Sequence, residues 1–175
     1  MERILNCGCG NDTYGTDFTD KYPQRKEVKK CNLDTQKLPF PDNYFDIVYS
    51  KNLFEHLTNL GFTMKEMKRV LKRGGKLIII TDNANFWGYA FGKTHLGLYE
   101  EMGSYGGEDR HYELFTDWHM QNHARNAGFR KIRTVYTIDN LIGIKGNIIF
   151  LTNILFRHTP LKRMVHNIIK MEAIK

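Results

Sequence analysis

A chain of 175 residues, 41% of them hydrophobic and 26% charged, is the size of one soluble domain and long enough to bury a core. Three cysteines exclude a disulfide framework, and no run of about 18 uninterrupted apolar residues predicts a membrane-spanning helix. A formal net charge of +7 suits an anionic partner such as nucleic acid, an acidic substrate or a membrane surface, but charge alone selects none of them.

Residues 3–8 are a short apolar run closed by glycine, the pattern of a buried strand. Residues 14–19 predict a weak second strand, residues 27–33 a third, and residues 45–49 a clear fourth. Leu60, Met64, Met67, Val70 and Leu71 then fall on one helical face. Thr63-x-x-Glu66 reads as a capping box in that helix and Gly74-Gly75 as its stop. Residues 76–81 are β-branched and apolar and predict a central strand. Residues 84–113 have no sustained period and are rich in Gly, Tyr, Phe and His, as functional loops are. Thr116 is placed to cap a helix reaching Ala127, with Gly128 as its stop. Residues 131–138 and 147–155 predict two more strands. Leu161, Met164, Val165, Ile168 and Ile169 predict an amphipathic helix over 161–175, packed on or appended to a single domain of residues 1–160.

Strands alternating with helices predict an α/β fold: a mostly parallel sheet with an antiparallel C-terminal hairpin and helices on both faces. Its ligand belongs at the carboxyl ends of the strands, at the topological switch point. Gly8-Cys9-Gly10 follows the first strand, but Thr13 stands at the third position of a dinucleotide fingerprint, which disfavours NAD. Cys7-x-Cys9 has unusual spacing for zinc and no second ligand pair nearby, so no metal site is read there.

Four motifs occur in order: Ile4-Leu5-Asn6-Cys7-Gly8-Cys9-Gly10, then Leu38-Pro39-Phe40-Pro41-Asp42 leading into the fourth strand, then Glu55-His56-Leu57, then Arg69-Val70-Leu71-Lys72-Arg73-Gly74-Gly75 before an apolar strand. Together they resemble the class I S-adenosylmethionine-dependent methyltransferases, with a Rossmann-like fold, over roughly residues 3–138. The resemblance implies S-adenosyl-L-methionine as cofactor, cradled by Cys7, Gly8, Cys9 and Gly10. It also implies an acid near the end of the second strand for the ribose diol, Asp17 beside Phe18, with Asp20 and Asp12 as rivals. Leu33 would pack on adenine and Asp34 bond its amino group, while Ser50 and Lys51 close the cleft at the fourth strand. His56 and His111 are the candidate catalytic residues, since imidazole can take a proton near neutral pH.

Only six residues separate Gly10 from Asp17, fewer than the dozen or so that a parallel crossover needs, so the helix after the first strand is expected to be missing or vestigial. Asn- or Asp-Pro-Pro-aromatic and Pro-Cys motifs are absent, which disfavours methylation of adenine or glutamine amino groups and of cytosine carbon. A small-molecule acceptor methylated on O, N or C is the expected substrate. The alternatives are an RNA-modifying enzyme using the basic surface, or a cofactor-binding subunit without turnover. The start, Met1-Glu2-Arg3-Ile4, resembles no signal peptide, so a cytoplasmic protein is expected. The sequence says nothing of oligomeric state.

Overall fold

In the computed structural model the described residues are 1–87, 111–138, 154–156, 158–159 and 161–175. Seven strands form one sheet: β1 (Ile4–Cys7), β2 (Asp17–Asp20), β3 (Val28–Lys30), β4 (Phe45–Lys51), β5 (Leu71–Asp82), β6 (Arg130–Thr137) and β7 (Ile168–Ile174). Their order is β3-β2-β1-β4-β5-β7-β6. The first five in that order run parallel, whereas β7 is antiparallel to both β5 and β6. The switch point lies between β1 and β4, and their carboxyl ends open on the same edge.

The core is built on register. Leu5 pairs with Val48, Val48 with Leu77, and Leu77 with Ala173, so four fully buried side chains cross four strands on one face. Helices α1 (Leu60–Val70) and α2 (Asp117–Asn126) bring Met64, Met67, Val70, Met120 and Ala124 onto that face. No helix among the described residues is long and apolar enough to cross a membrane.

Several local expectations change. The Thr63–Glu66 capping box does not form. Asn59 caps α1, its side chain accepting from the Phe62 amide at 3.4 Å, while Thr63 Oγ1 donates to the Leu33 carbonyl at 2.9 Å. Glu66 instead accepts the Leu38 amide at 2.9 Å and pairs with Arg69 at 2.8 Å. Arg69 also donates to the Phe40 and Leu38 carbonyls, each at 2.9 Å, and to Asp42 at 2.7 Å. That one guanidinium pins the Leu38–Asp42 segment, whose Pro39 and Pro41 offer no amide, against α1. Gly74-Gly75 lies inside β5 and does not end α1. Gly74 adopts φ +79°, and pairing with β4 jumps from Phe45–Leu71 to Ile47–Lys76.

Beyond residue 160 the expected amphipathic helix is only one turn, α3 (Lys162–Val165), and Ile168–Ile174 is a strand in the sheet. Ile169, Met171 and Ala173 alternate with Lys170, Glu172 and Ile174, a period of two that the preceding apolar residues hid behind helical spacing. Residues 161–175 therefore belong to the fold and are not an appendage. The strand expected at 147–155 falls largely outside the described residues, and Ile154, Leu155 and Phe156 are helical.

The direct passage from β1 to β2 has no helix, as the short spacing predicts. Side-chain bonds replace it. Thr16 Oγ1 accepts the Ile4 amide at 2.9 Å, Asn6 Nδ2 donates to the Tyr14 carbonyl at 3.0 Å, and Arg25 donates to the Asp12 carbonyl at 3.0 Å.

Candidate active site

A cleft of about 720 Å³ opens at the carboxyl ends of β1, β2, β4 and β5. This volume lies within the usual range of small-molecule sites. One half is built by the turn after β1. Gly8 and Gly10 have φ of +65° and +48°, and a Cβ on Gly8 would meet Leu53 Cδ1 at 2.6 Å. Glycine at position 8 thus satisfies both the backbone and the crossing chain. The amides of Gly8 and Cys9 both donate to the Thr19 carbonyl, at 2.8 and 3.1 Å, locking the turn onto β2.

Asp20, at the carboxyl end of β2, lines the cleft. Its two oxygens accept the Gly10 amide at 2.8 Å and the Tyr22 amide at 2.7 Å. Asp17 opens β2 instead of closing it, and its carboxylate accepts the Thr16 hydroxyl at 2.9 Å outside the cleft lining. Phe18 also lies outside the lining, with the Arg25 guanidinium 4.7 Å from its ring centroid. The strand is legible in sequence, but its end lies one residue beyond the expected boundary, and that moves the acid at its mouth.

Gly8, Cys9, Gly10, Leu33, Asp34 and Lys51 line the cleft, whereas Cys7 and Ser50 do not. Both are fully buried, and the Ser50 hydroxyl has no hydrogen-bond partner. Its neighbour Val48 belongs to the buried row, so Ser50 faces the same interior. Burial pushes the Cys7 thiol up to about 12 and the Cys9 thiol up to about 11, the latter helped by the Asp20 charge. Asp34 Oδ1 accepts the amides of Thr58 and Asn59, each at 2.9 Å, tying the loop after β3 to the start of α1.

The other half of the cleft follows β4. Asn52 takes φ +51°, a left-handed turn that asparagine tolerates, and its amide donates to the Ile80 carbonyl at 2.9 Å. The chain then enters a 3-10 turn, Phe54–His56. Glu55 is buried, and the Thr81 hydroxyl donates to its Oε2 at 2.8 Å. The Tyr112 amide donates to the Glu55 carbonyl at 2.7 Å, which brings His111 alongside. The rings of His56 and His111 stand edge to face, 4.5 Å apart at 87°, and His111 Nδ1 lies 3.5 Å from Asp82 Oδ2. Sequence reasoning names both histidines as site residues, but not Asn6, Tyr22 or Leu53, which also line the cleft. Tyr89, His95, Tyr99, Tyr105, Asp109 and Arg110 of the loop expected over residues 84–113 lie outside the described residues.

A family model described as a methyltransferase domain matches residues 5–79, which hold the glycine turn, the Pro39–Asp42 segment and the Glu55–Leu57 motif. That match supports a class I S-adenosylmethionine-dependent methyltransferase. Residues 5–79 build both halves of the cleft except for Asp82, His111 and Tyr112. Among relatives, an uncharacterized protein of Methanocaldococcus jannaschii is 36% identical over 93 residues, 46% of this chain and 40% of that protein. A ubiquinone/menaquinone biosynthesis C-methyltransferase of Chromobacterium violaceum is 51% identical over 47 residues, 27% of this chain and 19% of that one. The chain thus spans less than half the length of these relatives. An S-adenosylmethionine-dependent methyltransferase of Thermotoga maritima shares the fold with a TM-score of 0.67 at 18% identity, covering 100% of this chain and 83% of that one. S-adenosylmethionine is the cofactor that this resemblance implies, and the cleft's residues fit it. The Gly8–Gly10 turn, the Asp20 carboxylate and the apolar Leu33 meet at one mouth.

Proposed function

We propose that this chain transfers a methyl group from S-adenosylmethionine to a small-molecule acceptor within this cleft. The observation that carries the reading is the acid-clamped glycine turn at the switch point, Asp20 on Gly10, opposite an acceptor half rich in polar side chains. The cofactor supplies an already activated methyl, so the chain's task is alignment and exclusion of water.

In this reading Asp20, rather than Asp17, meets the ribose hydroxyls. Each carboxylate oxygen has more than one acceptor site, so two backbone bonds leave capacity for a diol. Leu33 offers an apolar wall to adenine, and the Asp34 carboxylate bonds its amino group while holding the start of α1. Cys9 and Gly10 present backbone to the methionine portion, and Lys51 stands at the β4 mouth. The acceptor enters from the side of Asn52, His56, His111 and Tyr112. The Chromobacterium relative's name supports carbon as the methylated atom.

Incubation with methyl-labelled cofactor and fractionated cell extract tests the reading. Label in the small-molecule fraction is expected. Label confined to RNA, or none in a chain that binds the cofactor, would contradict it.

A further inference from the structure

We propose that Glu55, His56 and His111 form a binding site for a borderline divalent cation such as Zn²⁺, Mn²⁺ or Fe²⁺, in the acceptor half of the cleft. One ligand atom from each residue lies within 4.8 Å of the others. Nitrogen and carboxylate ligands bind such ions at about 2.0–2.2 Å, so three ligands of one ion stand roughly 3–3.8 Å from one another. Side-chain rotations that bring the three atoms together by about an ångström would close the site around an ion. Two imidazoles and one carboxylate are a donor set suited to these metals, and less suited to Mg²⁺ or Ca²⁺, which prefer oxygen.

The surroundings supply independent support. Ligands in metal sites are oriented by hydrogen bonds from behind, typically a hydroxyl on the carboxylate and a carboxylate near an imidazole. Thr81 Oγ1 donates to Glu55 Oε2 at 2.8 Å, and Asp82 Oδ2 stands 3.5 Å from His111 Nδ1. These two supports are consecutive residues at the end of β5, so the sheet itself fixes them. The 2.7 Å bond from the Tyr112 amide to the Glu55 carbonyl fixes the His111 side. Glu55, His56, Asp82 and His111 all line the cleft, so an ion can enter from solvent and keep positions open to a ligand.

Those open positions suit an acceptor that carries an oxygen donor. That extension rests on the methyl-transfer reading, whereas cation binding does not. In this arrangement the two imidazoles hold a cation instead of taking the acceptor's proton. The competing arrangement is an imidazolium paired with Glu55 and no metal.

The test is calorimetric titration of the chelator-stripped full chain with Zn²⁺ and Mn²⁺ in the absence of S-adenosylmethionine, together with Co²⁺ absorption. One equivalent should bind, with Co²⁺ bands typical of nitrogen and oxygen ligands. His56→Ala and His111→Ala should weaken binding by about tenfold or more, and the exposed His119→Ala should not. Far-UV circular dichroism checks that each variant folds, and both histidines are partly exposed. Absence of a saturable equivalent, affinity unchanged in both histidine variants, or a thiolate charge-transfer band placing the ion on cysteine would each overturn the proposal. Separate titration with S-adenosylmethionine distinguishes its failure from failure of the methyl-transfer reading.

Discussion

The Asp20 carboxylate accepts the Gly10 amide at 2.8 Å, so the acid at the mouth of β2 also sets the shape of the glycine turn after β1. The coupling makes one side chain responsible for two parts of the proposed cofactor site. Asp20→Asn keeps one acceptor oxygen but must loosen either Gly10 or Tyr22. A hydrogen bond to a charged group contributes about 1.5–3 kcal/mol, so affinity for S-adenosylmethionine should fall about tenfold or more. Asp17→Asn, outside the cleft, should leave it unchanged. Calorimetry on the two variants decides between the acids.

Arg69 is the second such junction, and its loss should be felt in stability. The Glu66 side chain is only 8% exposed and Arg69 23%, so removing the guanidinium leaves a nearly buried carboxylate without its ion-pair partner. Arg69→Ala should cost about 2–4 kcal/mol, toward the lower end for breaking a buried pair. Arg69→Lys should recover little, because one ammonium cannot reproduce the forked contacts to Glu66, Asp42 and two carbonyls. Urea unfolding, read as a shift in midpoint at constant slope, measures both.

The same carboxylate gives a pH dependence. Burial alone would raise the Glu66 pKa, but Arg69 and the Leu38 amide outweigh it and hold the group below its ordinary 4.5. The Arg3 amide and Lys72 likewise hold Asp46 below 3.8. A depressed folded-state pKa means that the unfolded chain binds the proton more readily. The stability from these groups is therefore complete above their ordinary values and is lost as pH falls through the lower folded ones. Thermal melts should be flat from these groups above about pH 5.5 and decline below about pH 4.5. In Arg69→Ala the acid decline should be shallower.

Thiol chemistry reports on the glycine turn. With Cys7 raised to about 12 and Cys9 to about 11 by burial, little of either is thiolate at neutral pH. Alkylation of the native chain at pH 7.5 should be far slower at both than in urea, as peptide mass spectrometry would show. Fast labelling of Cys9 in the native state would mean that the turn is open.

Much of this was legible in the sequence, and the failures have physical causes. The Ile4–Cys7 and Phe45–Lys51 strands, the α1 face and the Thr116 cap announce themselves because local pattern and tertiary role agree. Ile168–Ile174 misleads because Leu161, Met164, Val165, Ile168 and Ile169 satisfy helical spacing across the junction between one helical turn and a strand. Glu66 reads as a cap because its spacing from Thr63 fits, yet its tertiary partners Arg69 and Leu38 prevail. Asp17 and Asp20 differ by where a short strand stops, which sequence places least well. Glu55 gives no sign of its place in the cleft, because no sequence pattern shows that β5 and the segment before α2 approach it.

The most direct test of the account is titration of the chain with S-adenosylmethionine and S-adenosylhomocysteine. A single site of micromolar affinity for both, weakened by Asp20→Asn and not by Asp17→Asn, is the predicted result. A folded chain that gives no binding heat with either compound, at several temperatures, would contradict the assignment of this cleft.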